Sequence, residues 1–158
     1  MNIRERKSRL IRENLQKNKN AVVGMKIAGI CILAIIAARL VFLLYELIYF
    51  SSSDIKISVV FELLVLPMLL VLYMVYDGNR ALSSVTLISA VVRIIYHFSS
   101  VYTTLPKTAA ADAYTVIFLA VMASQFILSI ILTSSKKCNE YFRIRQKVNM
   151  QIRSEMLK

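Results

Sequence analysis

Charged side chains stand inside long apolar stretches of this sequence, where an ionisable group is costly. Arg39 and Arg93 each have apolar residues on both sides. At such a position an arginine holds an anion or a substrate, or it pairs with a carboxylate. Glu46 and Glu62 supply two carboxylates, so the formal charges of the four residues cancel. We therefore expect these side chains to share one network inside the fold.

Uncharged polar residues and one histidine extend this set. Histidine titrates near neutral pH, so His97 is suited to exchange protons with the glutamates. One apolar stretch carries a polar stripe at helical spacing: Thr86, Ser89, Arg93, His97 and Ser100. A weaker stripe follows on a later stretch: Thr115, Met122, Gln125, Ser129 and Thr133. Residues at such spacing share one helix face, which indicates a polar layer in the interior of a helix bundle.

The polar layer has three interpretations. Hydrogen bonds between membrane helices often fix only their packing. Alternatively, the layer is a water-accessible pocket or path, where Arg39 and Arg93 attract an anion and His97 moves protons. In the third interpretation it is a contact surface for another membrane subunit. The sequence leaves the three interpretations open.

The elements that must position these residues are four apolar stretches. Each has about 20 residues, the length of a helix that crosses ~30 Å of hydrocarbon. The stretches do not alternate apolar and polar residues, as the strands of a membrane barrel do. The chain is 58% hydrophobic, with a mean hydropathy of +0.62. The sequence thus predicts an all-α integral membrane protein, a bundle of four transmembrane helices at residues 27–50, 57–76, 81–102 and 113–133.

The distribution of basic residues predicts the orientation of the bundle. Of the 20 Lys and Arg residues, eight lie in residues 1–26 and seven in residues 136–158. Loops rich in Lys and Arg stay in the cytoplasm, so both termini are expected there. Two termini on the same side of the membrane require an even number of membrane crossings, which agrees with the four predicted helices. The compact chain favours a bacterial plasma membrane, and Arg39 and Arg93 fall near its midplane.

Two basic segments flank the predicted bundle at residues 27–133. Residues 1–26 form a basic tail, either a marginal helix or disordered. Residues 134–158 predict a basic amphipathic helix that continues from the last span or bends onto the membrane. Its apolar face consists of Tyr141, Ile144, Val148, Ile152 and Met156. The residues expected to contact anionic lipids of the inner leaflet or a protein partner are Lys137, Arg143, Arg145, Lys147 and Arg153. No nucleic acid is expected, because membrane topology already explains the positive charge.

Several single residues have local interpretations. Gly24 and Ala28, four residues apart, permit a close helix contact. Asp112 is expected to cap the fourth predicted helix. Cys31 and Cys138 are expected to be reduced thiols rather than a disulfide, and acylation of Cys138 is the less favoured alternative.

The sequence lacks the motifs of known enzyme classes, so no catalytic residue, metal or cofactor is expected. The favoured function is a homo-oligomeric channel or transport component for an ion or small solute, with its pore between protomers. Its polar residues would be Arg39, Glu46, Glu62, Ser89, Arg93, His97 and Gln125. The alternative is an accessory, immunity or regulatory subunit that binds another membrane protein. The least supported class is an intramembrane enzyme that uses Glu62 or His97.

Overall fold

Helices make up nearly all of the structure. The computed structural model describes residues 3–50, 65–105 and 107–157. It is 92% helical, and no strand occurs in these ranges. Within the described ranges, three helices are long and apolar enough to cross a membrane: Lys19–Ile48, Ala81–Ser99 and Ala109–Ser134. The predictions of an all-α fold and of helices that could span a membrane are therefore confirmed.

The described part of the chain contains six longer helices. Their bounds are α1 Ile3–Gln16, α2 Lys19–Phe50, α3 Val65–Tyr76, α4 Ala81–Tyr96, α5 Ala109–Ser134 and α6 Lys136–Met156. A π-helical segment, His97–Val101, and one α-helical turn, Tyr102–Thr104, follow α4. Only the last part of the predicted span 57–76 is described, as α3. Residues 57–64, with Glu62, lie outside the described residues.

Helix α2 is longer than the span predicted from the sequence. It begins at Lys19 rather than at residue 27, because the Asn18 side chain caps it by accepting a hydrogen bond from the Ala21 amide at 3.1 Å. Its 32 residues extend for about 48 Å at 1.5 Å per residue. That length exceeds the hydrocarbon thickness. The excess packs against α6 around Gly24, where a Cβ would overlap the Lys137 carbonyl.

A Schellman motif ends α3 and leads directly into α4. The Gly78 amide donates to the Val75 carbonyl, and the Asn79 amide donates to the Met74 carbonyl, both at 3.0 Å. Gly78 has a φ of 109°, which favours glycine at this position of the motif. Space also requires glycine, because a Cβ here would lie 2.6 Å from the Cβ of Arg145. The α3–α4 turn is therefore held closely against α6.

The last two helices are separated by a sharp bend at Ser135. Its backbone is extended, with φ −64° and ψ 119°, and its hydroxyl accepts a hydrogen bond from the Cys138 amide. Helix α6 therefore does not continue α5. It turns back and packs across α1 and α2, so its apolar face is covered by protein.

The predicted cap of α5 is wrong. Thr108 caps this helix, because its side chain accepts a hydrogen bond from the Ala111 amide at 3.3 Å. Asp112 lies within the first turn instead. Its negative charge there stabilises the positive end of the helix dipole.

Both tails lie at the same end of the bundle, together with the α3–α4 turn; we call this the tail end. Arg6 of α1 forms an ion pair with Glu155 of α6 at 3.0 Å. An apolar core holds the tail end together and includes Ile11, Leu15, Ala28, Ile35, Leu72, Val75, Leu132, Tyr141, Phe142, Val148 and Ile152. A second core lies further along the bundle and consists of Phe42, Tyr114, Phe118 and Met122. The N-terminal tail is thus a packed helix at residues 3–16, and in α6 the predicted apolar face is buried except at Ile144 and Met156.

Candidate functional site

The charged residues and the histidine that the structure describes within the apolar stretches are buried inside a single chain. Arg39 is 2% exposed and Glu46 6%, both on α2. Arg93 is 9% exposed at the end of α4, and His97 is 2% exposed at the start of the π-helical segment. Arg39 and Glu46 share one face of α2 because seven residues complete two helical turns. The structure thus directs these four side chains into the interior of the helix bundle.

Hydrogen bonds join α4 to α5 near the tail end. The amide nitrogen of Gln125 donates to the Thr86 carbonyl and to the Ser89 hydroxyl, both at 2.9 Å. Thr86 also makes a hydroxyl contact with Ser129 at 2.9 Å. The polar stripes of the two helices therefore face each other, as their spacing predicts.

Arg39 enters this interface from α2. Its Nη1 atom donates to the sulfur of Met122 on α5 at 3.8 Å. Met122 is fully buried and lies one turn before Gln125. The guanidinium therefore lies between the serine and threonine contacts and the second core, which we call the aromatic cluster after Phe42, Tyr114 and Phe118.

Glu46 lies in the aromatic cluster, on the side away from the tail end. The Tyr114 hydroxyl donates to Oε1 of Glu46 at 2.6 Å, and both residues are buried. The Tyr114 ring packs on Phe42 with centroids 5.8 Å apart and on Tyr45 with centroids 6.2 Å apart. Burial of this hydrogen bond makes it a stronger interaction than one at the surface.

His97 packs between aromatic side chains and a threonine of α5. Its ring stacks on Phe118 at a centroid distance of 4.1 Å, and its Nε2 lies 3.4 Å from the Thr115 hydroxyl oxygen. Thr115 donates its own proton to the Ala111 carbonyl at 3.1 Å. Towards His97 the threonine therefore accepts, which assigns the proton of a neutral His97 to Nε2. The π-helical segment that starts at His97 is of a type often found at functional sites.

Together these side chains form one polar column through the bundle. On α4 it runs from Ser83 to His97, about 21 Å at 1.5 Å per residue. The polar column comprises Arg39, Glu46, Ser83, Thr86, Ser89, Arg93, His97, Tyr114, Thr115, Gln125 and Ser129. Glu62 and the side chain of Ser100 lie outside the described residues. The predicted residues Arg39, Glu46, Ser89, Arg93, His97 and Gln125 all belong to this column.

The chemistry available in the polar column is that of hydrogen bonding and charge. In the part of the chain that the structure describes, no group of three His, Cys, Asp or Glu side chains could hold a metal ion. Cys31 and Cys138 are free, buried thiols, as predicted. Guanidinium, hydroxyl and amide donors can replace the water shell of an ion or a small polar solute.

The basic residues predicted on α6 divide into two groups. Lys137, Arg143, Lys147 and Arg153 are exposed. Arg145 is held instead by α3 and by its own helix, since its Nε donates to the Tyr141 hydroxyl at 3.0 Å and its guanidinium lies 5.2 Å from the centre of the Tyr76 ring. Arg145 is therefore fixed in place, whereas the other four basic residues face outwards.

Asp77, in the α3–α4 turn, connects both tails to the bundle. Its two carboxylate oxygens accept hydrogen bonds from Lys7 at 2.9 and 3.0 Å. Arg145 lies 3.5 Å from Oδ1, and the Asn149 amide donates to the Asp77 carbonyl at 2.8 Å. One carboxylate thus joins α1, α6 and the connection between α3 and α4.

Two titratable groups of α6 have pKa values shifted by burial. Desolvation raises the pKa of the Cys138 thiol above its ordinary value. Desolvation also raises the pKa of Tyr141, although the nearby Arg145 charge opposes this shift. Both side chains therefore remain protonated at neutral pH.

Sequence reasoning missed two important residues. Tyr114 lies on the polar face of α5, because Tyr114, Phe118, Met122 and Gln125 recur at steps of three and four residues. That periodicity would have identified it. Asp77 lies in a turn, and no local pattern identifies its partners Lys7, Arg145 and Asn149, which are 68 to 72 residues away in the chain.

No protein-family model, curated protein or solved structure matches this chain. The polar column and the charges at the tail end are therefore the features that indicate a function.

Proposed function

We propose that this protein is a non-enzymatic membrane component that conducts an ion or a small polar solute along the polar column. The observation that carries the proposal is the burial of polar side chains over about 21 Å of helix, at Ser83, Thr86, Arg93 and His97. Intramembrane arginines and histidines typically mark the pathway of an ion or a substrate. Arg39 and Arg93 would attract and hold the permeant species, and His97 and Glu46 would exchange protons with it.

The proposed topology has four membrane crossings. In this proposal α3 forms part of the second crossing, and the residues before α3 form the rest of it. Its support is the position of the tails, because the ion pairs Arg6–Glu155 and Lys7–Asp77 hold α1, α6 and the α3–α4 turn at one end. A chain whose ends lie on the same side crosses an even number of times. The excess of basic residues in both tails favours the cytoplasmic side, as in a bacterial plasma membrane.

The path in this proposal runs inside each protomer. Arg39, His97 and Gln125 are at most 2% exposed in a single chain, so their contacts do not require a second copy. Homo-oligomers remain part of the proposal, with lipid or a neighbouring protomer covering the exposed apolar residues of α2. A path within each protomer predicts that separated protomers still conduct.

A flux assay tests the proposal. The purified protein is reconstituted into vesicles, and the uptake of small anions, cations and neutral solutes is compared for the wild type, Arg39→Gln and Arg93→Gln. We expect at least one solute to enter faster than into empty vesicles, and each substitution to change its rate about tenfold, which corresponds to 1.4 kcal/mol in the barrier. Arg143→Gln is the matched control, because it removes an exposed charge. If no solute enters, or if all three variants behave alike, the proposal fails.

An accessory subunit is the second candidate, favoured by a different observation. Exposed basic residues lie along α6, among them Arg143, Lys147 and Arg153, while the apolar face of the helix is covered. Such a surface fits an acidic partner through charge complementarity. Deletion of α6 would disrupt the core, so the test is the double variant Arg143→Glu, Lys147→Glu. Loss of one defined co-purifying membrane protein from a folded variant would support this function, and unchanged co-purification would contradict it.

A further inference from the structure

A second candidate site lies at the tail end, apart from the polar column. A cavity of about 630 Å³ opens between α1, α2, α3 and α6. We propose that this cavity binds a phosphate group, supplied by the headgroup of an anionic phospholipid. The proposal goes beyond conduction, because none of its residues belongs to the polar column.

The charges around the cavity favour an anion. Arg4, Lys7 and Arg145 line it together with a single acidic residue, Asp77. Three positive charges against one negative leave a surplus of two. Basic pockets between membrane helices at the cytoplasmic surface are typical sites for phospholipid headgroups.

Arg145 is arranged in advance for a phosphate. Its Nε donates to the Tyr141 hydroxyl at 3.0 Å, and its guanidinium lies 5.2 Å from the ring centre of Tyr76 and 5.8 Å from that of Tyr141. These contacts fix the plane of the guanidinium and leave the donors of its two Nη atoms for other partners. Asp77 is their partner among the described residues, at 3.5 Å. A planar guanidinium with available donors can bind two phosphate oxygens at once.

Lys7 stands beside Arg145, since both side chains approach the same carboxylate. An ammonium group has three N–H donors, and Asp77 accepts two from Lys7, at 2.9 and 3.0 Å. One donor of Lys7 and the Nη donors of Arg145 can therefore reach a common anion. Asp77 therefore positions the side chains of Lys7 and Arg145, and its single negative charge cannot neutralise both of them.

The apolar part of the cavity favours a lipid over free phosphate. Ile11, Met25 and Tyr73 line it on the side of α1, α2 and α3. Tyr73 is 65% exposed, close to the end of α3. Tyrosines at this level of a membrane helix lie among the headgroups. A phospholipid would place its phosphate at Lys7 and Arg145 and its glycerol and first acyl carbons against Tyr73 and Met25.

Lipid binding can be measured directly on the full chain. The protein is purified in a neutral detergent, and a short-chain phosphatidylglycerol is titrated while bound lipid is counted by native mass spectrometry. Lys7→Gln and Arg145→Gln should each weaken binding about tenfold, since each removes a charge-assisted hydrogen bond. The matched controls Arg12→Gln and Lys19→Gln remove the same charge from exposed positions of α1 and α2 that do not line the cavity. Each should change binding less than about twofold, as surface charges usually contribute little.

Asp77→Asn separates a binding role from a structural role. Removal of the carboxylate that competes for Lys7 and Arg145 should tighten binding of phosphatidylglycerol severalfold, whereas damage to the fold would weaken it. Thermal unfolding of each variant checks that it remains folded. Equal weakening by site and control substitutions, or weaker binding to Asp77→Asn, would overturn the proposal.

Inorganic phosphate identifies the source of the anion. If inorganic phosphate displaces phosphatidylglycerol only at concentrations far above that of the lipid, the site prefers a lipid headgroup. Displacement at equal concentrations would indicate a phosphate site that is filled from solution. Phosphatidylcholine that binds as tightly as phosphatidylglycerol would contradict an anionic ligand. Flux through the Arg39 variants is a separate measurement, so failure of the lipid site and failure of conduction are distinguishable.

Discussion

Gly24 lies where α2 and α6 approach most closely, and its replacement by alanine tests that packing. A Cβ at this position would overlap the backbone carbonyl of Lys137 and would lie 2.9 Å from the Cys138 nitrogen. A backbone carbonyl cannot rotate away as a side chain can. Helix α6 must therefore shift by about 1 Å or more to restore the usual contact distance of ~3.5 Å. That shift would also disturb the contact of the Cys138 sulfur with the Gly24 carbonyl at 3.7 Å.

The size of the effect follows from two opposing contributions. Alanine stabilises a helix interior by up to about 1 kcal/mol relative to glycine. Extra atoms in a packed contact cost about 1–3 kcal/mol, so Gly24→Ala should destabilise the protein by up to about 3 kcal/mol. Gly29→Ala is the control, because a Cβ there meets nothing within 4 Å. It should be neutral or slightly stabilising. The two variants then differ by the packing cost alone, so their melting temperatures should differ by roughly 2–12 °C.

Labelling of Cys138 reports on α6 itself. The side chain is 0% exposed, so a water-soluble maleimide should modify it slowly in the wild type and in Gly29→Ala. If α6 is displaced in Gly24→Ala, the Cys138 thiol should be exposed and labelled faster. Peptide mass spectrometry distinguishes labelled Cys138 from labelled Cys31. Equal melting temperatures and labelling rates for the two alanine variants would refute the close contact between α2 and α6.

Three further predictions concern buried polar groups. Tyr114→Phe removes the donor to the Glu46 carboxylate and should cost about 1.5–3 kcal/mol in chemical unfolding; a cost below 0.5 kcal/mol would contradict a buried bond. Gln125→Leu should reduce solute flux into vesicles while the protein remains folded, and unchanged flux would remove Gln125 from the path. Burial raises the pKa values of Cys138 and Tyr141 above their ordinary values of 9.0 and 10.0. The unfolded chain therefore loses these protons first, so the melting temperature should be steady at neutral pH and fall above about pH 9. Tyr141→Phe should reduce that fall, and an identical pH profile would contradict the Tyr141 shift.

The sequence predicts the spans and the polar stripes because both depend on local periodicity. Arg93 and His97, four residues apart, face the same way on any helix. A membrane environment adds a strong constraint, since a polar stripe must be directed inwards. Periodicity therefore indicates that Ser89 and Gln125 both face the interior, where they form a contact at 2.9 Å.

The tail end was not predictable in the same way, because its contacts join residues far apart in the chain. The amphipathic pattern of residues 136–158 shows that α6 buries one face, but the same pattern serves a membrane surface and a protein core equally well. Helix α6 packs on the protein core because Gly24 permits close contact with α2 and the bend at Ser135 directs α6 back onto the bundle. The role of Asp77 likewise depends on the folded positions of Lys7 and Arg145.

Gln125 gives the strongest reason to regard the polar column as a path rather than as packing alone. Most serine and threonine hydroxyls of the column donate to a carbonyl three or four residues earlier in the chain, as Ser89 does to Thr86 at 2.8 Å, so they cost little in a membrane. The Gln125 carboxamide is different, because its nitrogen donates to two groups on α4 while its buried oxygen accepts from none of the described residues. A buried acceptor left without a donor costs about 1–3 kcal/mol, and a leucine at the same place would avoid that cost. A hydrated ion or polar solute at this level would supply the missing donor, and this is why the Gln125 oxygen supports the proposed conduction over packing alone.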